Sequence, residues 1–242
     1  YRFLSDGKWR LEVLFRSLPS GEKAKSFKSL LSLYDFFLTR GVERRTPVVA
    51  FGGGSVGDAA GFAAATFQRG LPLVHVPTTL LAQADSSVGG KTGVNLPLAK
   101  NAVGAFHQPI LVASDTSLLK HLPERDLRSG LAEVVKMALV FDRPFARGLR
   151  DRWPGILARD PAALSWALRR CVELKACVVS ADERDLKGRR EFLNFGHTAG
   201  HGLEAAAGYG RFRHGEAVAL GMALAVHLSE QRGWIKQAGD RD

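Results

Sequence analysis

Three histidines in the second half of the chain are spaced so that they could bind a metal ion. His197 and His201 are four residues apart, which would place them on one face of a helix, and His214 follows shortly after. Histidine is a common nitrogen ligand of zinc, and two histidines with one carboxylate leave a coordination position open for a substrate. Spacing alone favours His197 and His201 as the ligand pair, although a single histidine more often belongs to a core or a surface.

An acid and a base interrupt an apolar stretch earlier in the chain. Glu133 and Lys136 lie three residues apart and would share one face of a helix. Charged groups inside an apolar helix cost free energy unless they are paired or bound to a metal. Two interpretations stay open at this point: a functional pair inside a site, or an ion pair on a solvated helix edge.

A glycine-rich segment, residues 52–58, lies between an apolar run and a stretch of small residues. Between a strand and a helix, such a segment can bind phosphate through backbone amides, and glycine lets a pyrophosphate approach closely. The spacing departs from G-x-G-x-x-G, so a tight strand-to-helix turn explains the segment equally well. Thr78 and Thr79 follow the next apolar run, where open α/β sheets bind ligands, although threonines after a proline are also common in turns.

Residues 85–95 form a longer polar and glycine-rich segment, and Lys100 and Asn101 follow it. Together with Lys91, these side chains on a mobile-looking backbone suit an anionic ligand. The sequence Gly-Gly-Lys-Thr within the segment resembles a P-loop, but Asp85 stands where that motif requires its first glycine. The spacing therefore excludes a P-loop nucleoside triphosphatase.

Strands and helices must position these segments, and the apolar pattern predicts a mixed first half and a purely helical second half. Apolar runs at residues 47–51, 71–76 and 110–113 predict buried strands of a parallel sheet, with helices at 27–38 and 58–68. After Pro123 the pattern predicts helices alone, at 126–140, 161–180, 198–207 and 216–232. We therefore predict an α/β domain over residues 1–124 and an all-helical domain over 125–242, with a ligand cleft between them.

The composition is that of an ordinary globular chain, with 45% hydrophobic and 24% charged residues among 242. The net charge of +10 comes from scattered lysines and arginines, which favours an anionic small molecule over nucleic acid. No apolar run reaches the roughly 18 residues that cross a bilayer. Cys171 and Cys177 predict neither a disulfide framework nor a thiolate zinc site, and we expect a cytoplasmic protein.

Taken in order, the motifs resemble those of the 3-dehydroquinate synthase family of sugar-phosphate cyclases. The matching segments are residues 52–58, 77–79, 80–95, 100–101, 104–106, 130–133, 182–184, 193–201 and 214–218. The resemblance implies a dehydroquinate synthase-like fold, in which a Rossmann-like α/β nucleotide-binding domain precedes an all-helical domain. Compared with the family, we expect this chain to lack the first strands of the nucleotide-binding domain and the last helices.

The resemblance also implies roles for individual residues. NAD contacts are expected at Gly21, Glu22, Lys25, Gly54, Ser55, Val56, Gly57, Asp58, Thr78, Thr79, Lys91, Lys100, Leu118, Leu119, Lys120 and His121. Zinc ligands are expected at Glu133, His197 and His214, in place of the pair chosen from spacing, and cobalt could replace zinc. Asp85, Lys91, Asn101, Lys136, Lys175, Arg190, Asn194 and His201 are expected to line the substrate pocket, and Arg69 to reach the substrate of a neighbouring subunit in a homodimer.

The implied activity is the closure of 3-deoxy-D-arabino-heptulosonate 7-phosphate to 3-dehydroquinate and phosphate, a step of the shikimate pathway of aromatic amino acid biosynthesis. Alternatives stay open among related cyclases, such as an aminodehydroquinate or a 2-deoxy-scyllo-inosose synthase. A metal-dependent polyol dehydrogenase would have the same fold but no need for groups that bind phosphate and carboxylate. A non-catalytic binding module is a further alternative, against which the presence of all three implied metal ligands argues.

Overall fold

The computed structural model describes residues 2–3, 9–10, 12–208 and 211–235. The strands are β1 (Arg2–Phe3), β2 (Trp9–Arg10), β3 (Val48–Gly52), β4 (Leu73–Pro77), β5 (Lys91–Leu96), β6 (Ala99–Phe106) and β7 (Leu111–Val112). The α-helices are α1 (Phe27–Thr39), α2 (Gly54–Thr66), α3 (Glu124–Phe141), α4 (Arg143–Leu157), α5 (Pro161–Ala181), α6 (His197–Ala207) and α7 (His214–Gln231). None of the helices within these ranges is long and apolar enough to cross a membrane.

A parallel sheet of three strands carries the first half of the fold, in the order β3, β4, β7. The pairing of β3 with β4 runs from Val48 opposite Leu73 to Gly52 opposite Pro77. Parallel neighbours need a crossover connection, and α2 provides it. The predicted fold class, a parallel sheet with crossover helices followed by a helical half, is confirmed.

The prediction that β3 is buried was wrong for one of its faces. Ala50 is buried, whereas Val49 and Phe51 keep 56% and 62% of their surface exposed. Successive side chains of a strand point to opposite faces of the sheet. Ala50 therefore joins the core with α1 and α2, and the face that carries Val49 and Phe51 is not covered by the described residues.

Helix α2 begins at Gly54, four residues before the predicted start at Asp58. The glycine segment thus forms the first turn of the helix itself instead of a loop before it. Small side chains let this helix approach its neighbours closely, since a Cβ on Gly61 would lie 2.5 Å from the Cγ2 atom of Thr92 in β5. The helix is therefore held between the parallel sheet and the β5–β6 pair.

Most of residues 85–101 belong to regular elements, although the glycine-rich sequence indicated a loop. Residues Ala82–Ser86 form a π-helical turn, and β5 and β6 pair as an antiparallel hairpin in which Gly93 lies opposite Gly104. A Cβ on Gly104 would lie 2.2 Å from the carbonyl oxygen of Thr92. The glycines that indicated a loop in the sequence instead permit a close approach of two strands.

The four helices predicted after residue 123 are confirmed as α3, α5, α6 and α7, with small shifts at their ends. Helix α4 was missed because Pro144 and Pro154 suggested breaks. Pro144 stands in the first turn, where its missing N–H costs nothing, and the Asp142 side chain caps the helix by accepting from the Phe145 N–H at 2.9 Å. Phe145, Leu149 and Ile156 then bury the helix in the core with α3 and α5.

Helix α7 lies against α3 at almost the closest distance that two backbones allow. The Gly215 N–H donates to the Ser129 Oγ at 3.0 Å, and a Cβ on Gly215 would lie 1.8 Å from the Ser129 carbonyl oxygen. A similar contact holds α7 to α6, where a Cβ on Gly221 would lie 2.0 Å from the Gly196 carbonyl oxygen. These contacts fix the start of α7, and with it His214.

Replacing Gly215 by alanine is expected to force α7 away from α3. The new methyl group would overlap backbone that cannot rotate away, so we expect a loss of about 3 kcal/mol or more in the free energy of unfolding, measured by urea denaturation. Gly202→Ala is the matched control, because nothing lies within 4 Å of a Cβ on that helical glycine. The free energy of unfolding of Gly202→Ala should exceed that of the unchanged protein by up to about 1 kcal/mol, because alanine favours a helix more than glycine does. Equal stabilities for the two variants would contradict the close packing of α7 on α3.

Candidate metal centre and its surroundings

Three helices bring one carboxylate and two imidazoles together. Glu133 lies in the middle of α3, while His197 and His214 are the first residues of α6 and α7. The Nε2 atoms of His197 and His214 lie 3.7 Å and 3.5 Å from the Glu133 Oε1 atom. One donor atom from each residue falls within 4.8 Å of the other two.

The Glu133 side chain is only 1% exposed, and its Oε1 atom has no hydrogen-bond partner among the described residues. The Lys136 ammonium, 2% exposed, is in ion-pair contact with the Oε2 atom. Burial raises the pKa of Glu133, but His214 and Lys136 together hold it below its ordinary value, so the group is ionised. A buried carboxylate with an unsatisfied oxygen facing two imidazoles fits a divalent cation of the zinc type.

The pKa values of the two imidazoles shift in opposite directions. Burial, together with the nearby Lys136 ammonium, lowers the pKa of His197 to about 4, so its ring is neutral at pH 7 and keeps a free lone pair. Burial also lowers the pKa of His214, but Glu133 and Glu204 raise it more, and the net shift is upward. A metal ion at this position would therefore compete with a proton for His214.

His201 lies outside the group that converges on Glu133. Its ring centroid is 5.4 Å from that of His197 and 6.0 Å from that of His214, and the residue is exposed. Its donor atom falls instead in a second group, with Glu204 and His214. Helical spacing alone favoured His197 and His201 as the ligand pair. The geometry instead places His214, at the start of the next helix, with His197 and Glu133.

A second ion pair, between the buried Lys175 and the half-buried Asp85, stands next to the first. Lys175 of α5 donates from Nζ to the Oδ1 atom of Asp85 at 2.5 Å and to its carbonyl oxygen at 2.6 Å. Burial raises the pKa of Asp85, but Lys175 and Lys136 outweigh it and keep the pKa well below the ordinary value. The two carboxylates and two lysines therefore alternate in charge across the junction of the π-helical turn, α3 and α5.

Arg190 adds a cation to this region, in a segment organised by Asp182. The Asp182 carboxylate accepts from the backbone N–H groups of Leu186, Lys187 and Arg189 at 2.9, 3.0 and 3.2 Å. Arg190 is buried, donates from Nη1 to the Glu183 carbonyl oxygen at 3.0 Å, and leaves its Nε buried without a partner among the described residues. Arg189 is exposed, so the geometry favours Arg190 for contact with an anion.

The remaining residues implied for the substrate pocket are more exposed. Lys91 lies at the start of β5 and contacts the Asp185 Oδ2 atom at 2.6 Å. Asn194 ends a 3-10 helix just before α6 and is exposed. Arg69 is exposed in a left-handed conformation with φ of 66° after α2. An exposed arginine at this turn is available to another molecule, as the family resemblance implies.

Several residues implied for the cofactor form one hydrogen-bonded group. The buried Lys25 ammonium contacts the Asp58 Oδ2 atom at 2.5 Å and the Asn101 side chain. Glu22 accepts from Ser55 Oγ at 3.1 Å and from Asn95 Nδ2 at 2.7 Å. Burial raises the pKa of Glu22, but Asn95 and Lys25 lower it more, so the net shift of the pKa is downward. Glu22, Asn95 and Lys100 also line a cavity of about 260 Å³ with residues 96–99.

The start of α2 presents the glycine segment to the turn that contains Asp85. Gly53 is the N-cap, and a Cβ on Gly54 would lie 2.8 Å from Ser86 Oγ, so a larger residue at this position would displace the serine hydroxyl. Thr78 and Thr79 follow β4 beside it, and the Thr79 Oγ1 accepts from the Ala82 N–H at 3.2 Å. Val56 and Gly57 lie in the first turn of the helix, whose positive end can bind a phosphate group.

The last implied cofactor segment has a different environment. Residues Thr116–His121 form a 3-10 helix in which Leu119 is fully buried in the helical core, whereas Lys120 and His121 are exposed. Arg159 donates to the Lys120 and Leu122 carbonyl oxygens at 2.5 Å each. Leu118 is half-buried, so the exposed side of this segment is formed by Lys120 and His121.

Sequence reasoning assigned no role to Glu204, Asp182 or Asp185, although residues 182–184 belong to one of the matching segments. Glu204 is seven residues after His197 on α6, and this helical spacing could have indicated that both share one face. Asp182 directly follows α5 as its C-cap residue, and an acidic residue at a helix end can accept from backbone N–H groups of the next segment. Asp185 carries no signal in the sequence, because its contact with Lys91 joins segments that lie far apart in the chain.

Comparison with known proteins gives a consistent result over both halves. A family model for the 3-dehydroquinate synthase N-terminal region matches residues 15–129, and one for the C-terminal region matches residues 130–242. A 3-dehydroquinate synthase from Nitrosomonas europaea is 52% identical over 221 residues, which are 91% of this chain and 60% of that protein. The chain thus spans 60% of the length of this curated relative.

Two solved structures are also similar to this chain. A 2-epi-5-epi-valiolone synthase from Streptomyces hygroscopicus with NAD+ and Zn2+ bound has a TM-score of 0.86 at 35% identity, over 91% of this chain and 62% of that one. A 2-deoxy-scyllo-inosose synthase complexed with carbaglucose-6-phosphate, NAD+ and Co2+ has a TM-score of 0.84 at 34% identity, over 90% of this chain and 59% of that one.

The alternation of buried charges predicts a pH-dependent effect of Lys175→Met. Asp85 would lose its nearest cation, and because 28% of its side chain is exposed we expect a moderate loss of about 2 kcal/mol in unfolding free energy at pH 7. Because the folded-state pKa of Asp85 lies below its ordinary value of 3.8, its ion pair stabilises the fold at every pH above 3.8. This stabilisation is lost as the pH falls from 3.8 through the folded-state pKa. The difference between the two proteins should therefore shrink below about pH 4.

Lys175→Arg keeps the positive charge and is the matched control, with a smaller expected loss of stability. Urea denaturation between pH 2 and pH 7 measures both variants. A loss in Lys175→Met that stayed constant across this range would indicate altered packing only, and would contradict the charge interaction with Asp85.

Proposed function

The chain belongs to the 3-dehydroquinate synthase family, and on that premise we propose that the complete protein converts 3-deoxy-D-arabino-heptulosonate 7-phosphate to 3-dehydroquinate and phosphate. The proposal extends to the shikimate pathway, a cytoplasmic location and a homodimer. One observation supports it most: the buried Glu133 carboxylate, whose Oε1 atom has no hydrogen-bond partner among the described residues, faces His197 and His214 beside the Asp85–Lys175 pair. A metal site next to buried groups of both charges is what a phosphate-eliminating cyclase requires.

We infer that Glu133, His197 and His214 bind Zn2+ or Co2+, and that residues 1–124 bind NAD while residues 125–242 carry the metal and most of the substrate contacts. When bound, NAD accepts and returns a hydride, and the metal acts as a Lewis acid on the hydroxyl group that is oxidised. The donor set agrees with this metal chemistry, because two imidazoles and a carboxylate leave a coordination position for the substrate.

The first turn of α2 is proposed to hold the pyrophosphate of the cofactor. Its backbone N–H groups and positive helix end suit that charge, and Gly54 lets the helix start approach Ser86 without a clash. Glu22 and Lys100 line the neighbouring cavity, where they can position the rest of the nucleotide. Lys25 fixes the position of Asp58 and Asn101, so the cofactor side and the substrate side share one cation.

The buried lysines and Arg190 are proposed to bind the substrate anions. Lys175 and Arg190 suit the carboxylate, since the Arg190 Nε is buried and available to an acceptor. Lys91, Asn101, Asn194 and His201 are proposed to hold the phosphate, whose own oxygen can accept the proton released from the adjacent carbon. Lys136 stands between Glu133 and Asp85, where it stabilises negative charge that develops near the metal. Arg69 is proposed to act in the site of a neighbouring subunit.

Related functions are less well supported. The relatives of the inosose and valiolone type are 34–35% identical, against 52% for the 3-dehydroquinate synthase from Nitrosomonas europaea. A polyol dehydrogenase would not need buried cations for a phosphate and a carboxylate. An aminodehydroquinate synthase uses such groups as well and stays the second candidate.

The test is phosphate release from the heptulosonate phosphate by the complete protein supplied with NAD+ and Zn2+. Release is expected to require both additions, to stop with a chelator and to return with Zn2+ or Co2+. Glu133→Ala should lose bound metal and activity together, whereas Glu124→Ala, an exposed acid on the same helix, should retain both. Chelator-resistant release, or turnover of a hexose phosphate instead, would contradict the proposal.

A further inference from the structure

We propose that Glu204 is a positioning residue, which orients the His214 ring for the metal from the side opposite to Glu133. The inference rests on the proposed metal centre and adds to it a carboxylate outside the three ligands. Such outer carboxylates fix the orientation of a ligating histidine and strengthen it as a donor.

Helix α6 delivers Glu204 to this place. His197, His201 and Glu204 lie at positions i, i+4 and i+7, so they share one face of the helix. Gly200 brings this face close to α7, since a Cβ there would lie 3.0 Å from the Ala217 carbonyl oxygen. The close contact of α6 with α7 holds Glu204 next to the first turn of α7, where His214 lies.

The His214 ring stands between two carboxylates. Its Nε2 lies 3.5 Å from the Glu133 Oε1, and its Nδ1 lies 3.6 Å from the Glu204 Oε2. The second distance exceeds a hydrogen bond by roughly 0.5 Å, which a small ring rotation would close when the ring turns toward a metal. An Nδ1–H held by Glu204 leaves the lone pair on Nε2, on the side of Glu133 and His197.

Burial of Glu204 requires compensation, because only 9% of its side chain is exposed. Lys100 provides part of it, with Nζ 3.3 Å from the Oε1 atom. The other oxygen faces His214. The two oxygens of Glu204 thus have different partners: Oε1 pairs with Lys100 of β6, and Oε2 faces the His214 ring.

The same residues could be considered a second metal site, since His201, Glu204 and His214 also place donor atoms within 4.8 Å of one another. The Lys100 ammonium argues against this, because a second cation bound to Glu204 would lie close to it and be repelled. His214 would also have to bind two ions through its two nitrogens. The positioning role uses the same contacts without either conflict.

The test compares Glu204→Gln with the unchanged protein after loading with Co2+. We expect the affinity for Co2+, measured by competition with a chromophoric chelator, to fall 10- to 100-fold, and the visible absorption of the bound Co2+ to change because the donor strength of His214 changes. Glu230→Gln is the matched control, because it lies near the far end of α7, roughly 24 Å along the helix from His214. The control should keep both the affinity and the spectrum.

A measurement without substitution supports the test. Nitrogen-15 NMR of the zinc-loaded protein should find His214 as the Nδ1–H tautomer, and the Nε2–H tautomer would overturn the inference. Unchanged affinity and spectrum in Glu204→Gln would overturn it while leaving the metal centre intact. A stoichiometry of two ions per chain that falls to one in the variant would overturn it in favour of a second site. If the unchanged protein bound no metal, both this inference and the proposed function would fail.

Discussion

The Glu133 carboxylate is held away from water in the middle of α3, and the arrangement of the surrounding helices depends on how its charge is compensated. Lys136 lies one turn away on the same helix, and the two histidines approach from the starts of α6 and α7. Because His197 and His214 are the first residues of their helices, the positions of α6 and α7 relative to α3 must be tightly fixed for both rings to reach Glu133. The contact of Gly215 with Ser129 provides this on α7, so backbone packing and site chemistry are parts of one constraint.

Compensation of a charge by a residue from a distant element also links the helices to the strand-containing half of the chain. Asp85 stands on the π-helical turn after β4, and Lys175 of α5 holds it through both its side chain and its carbonyl oxygen. A half-buried acid and a buried base from distant parts of the chain thus keep the glycine segment near the candidate metal centre. Burial is costly for each charge alone, and the alternation of signs makes the group tolerable. Under the proposed function, such a preorganised group would bind an ionic substrate without large movements of side chains.

The sequence predicted the elements whose apolar period is regular, and it failed where local signals pointed the wrong way. The parallel strands and four of the later helices follow from apolar runs. The β5–β6 hairpin was missed because Gly93 and Gly104 suggest a loop, although they allow a close approach of strands. Helix α4 was missed because prolines suggest breaks. Spacing favoured His201 where the geometry brings His214, since contacts between helices are not recorded in the local pattern. Helical spacing places Glu204 on the face of His197, but its contact with His214 of the next helix carries no local signal.

The central claim is that one metal ion compensates Glu133 between the two histidines. Diffraction from crystals grown with Zn2+, recorded on both sides of the zinc absorption edge, locates such an ion directly. The account predicts one strong anomalous peak, about 2.0–2.2 Å from a Glu133 oxygen and from the Nε2 atoms of His197 and His214. A peak among His201, Glu204 and His214 instead, or no peak at saturating Zn2+, would contradict it.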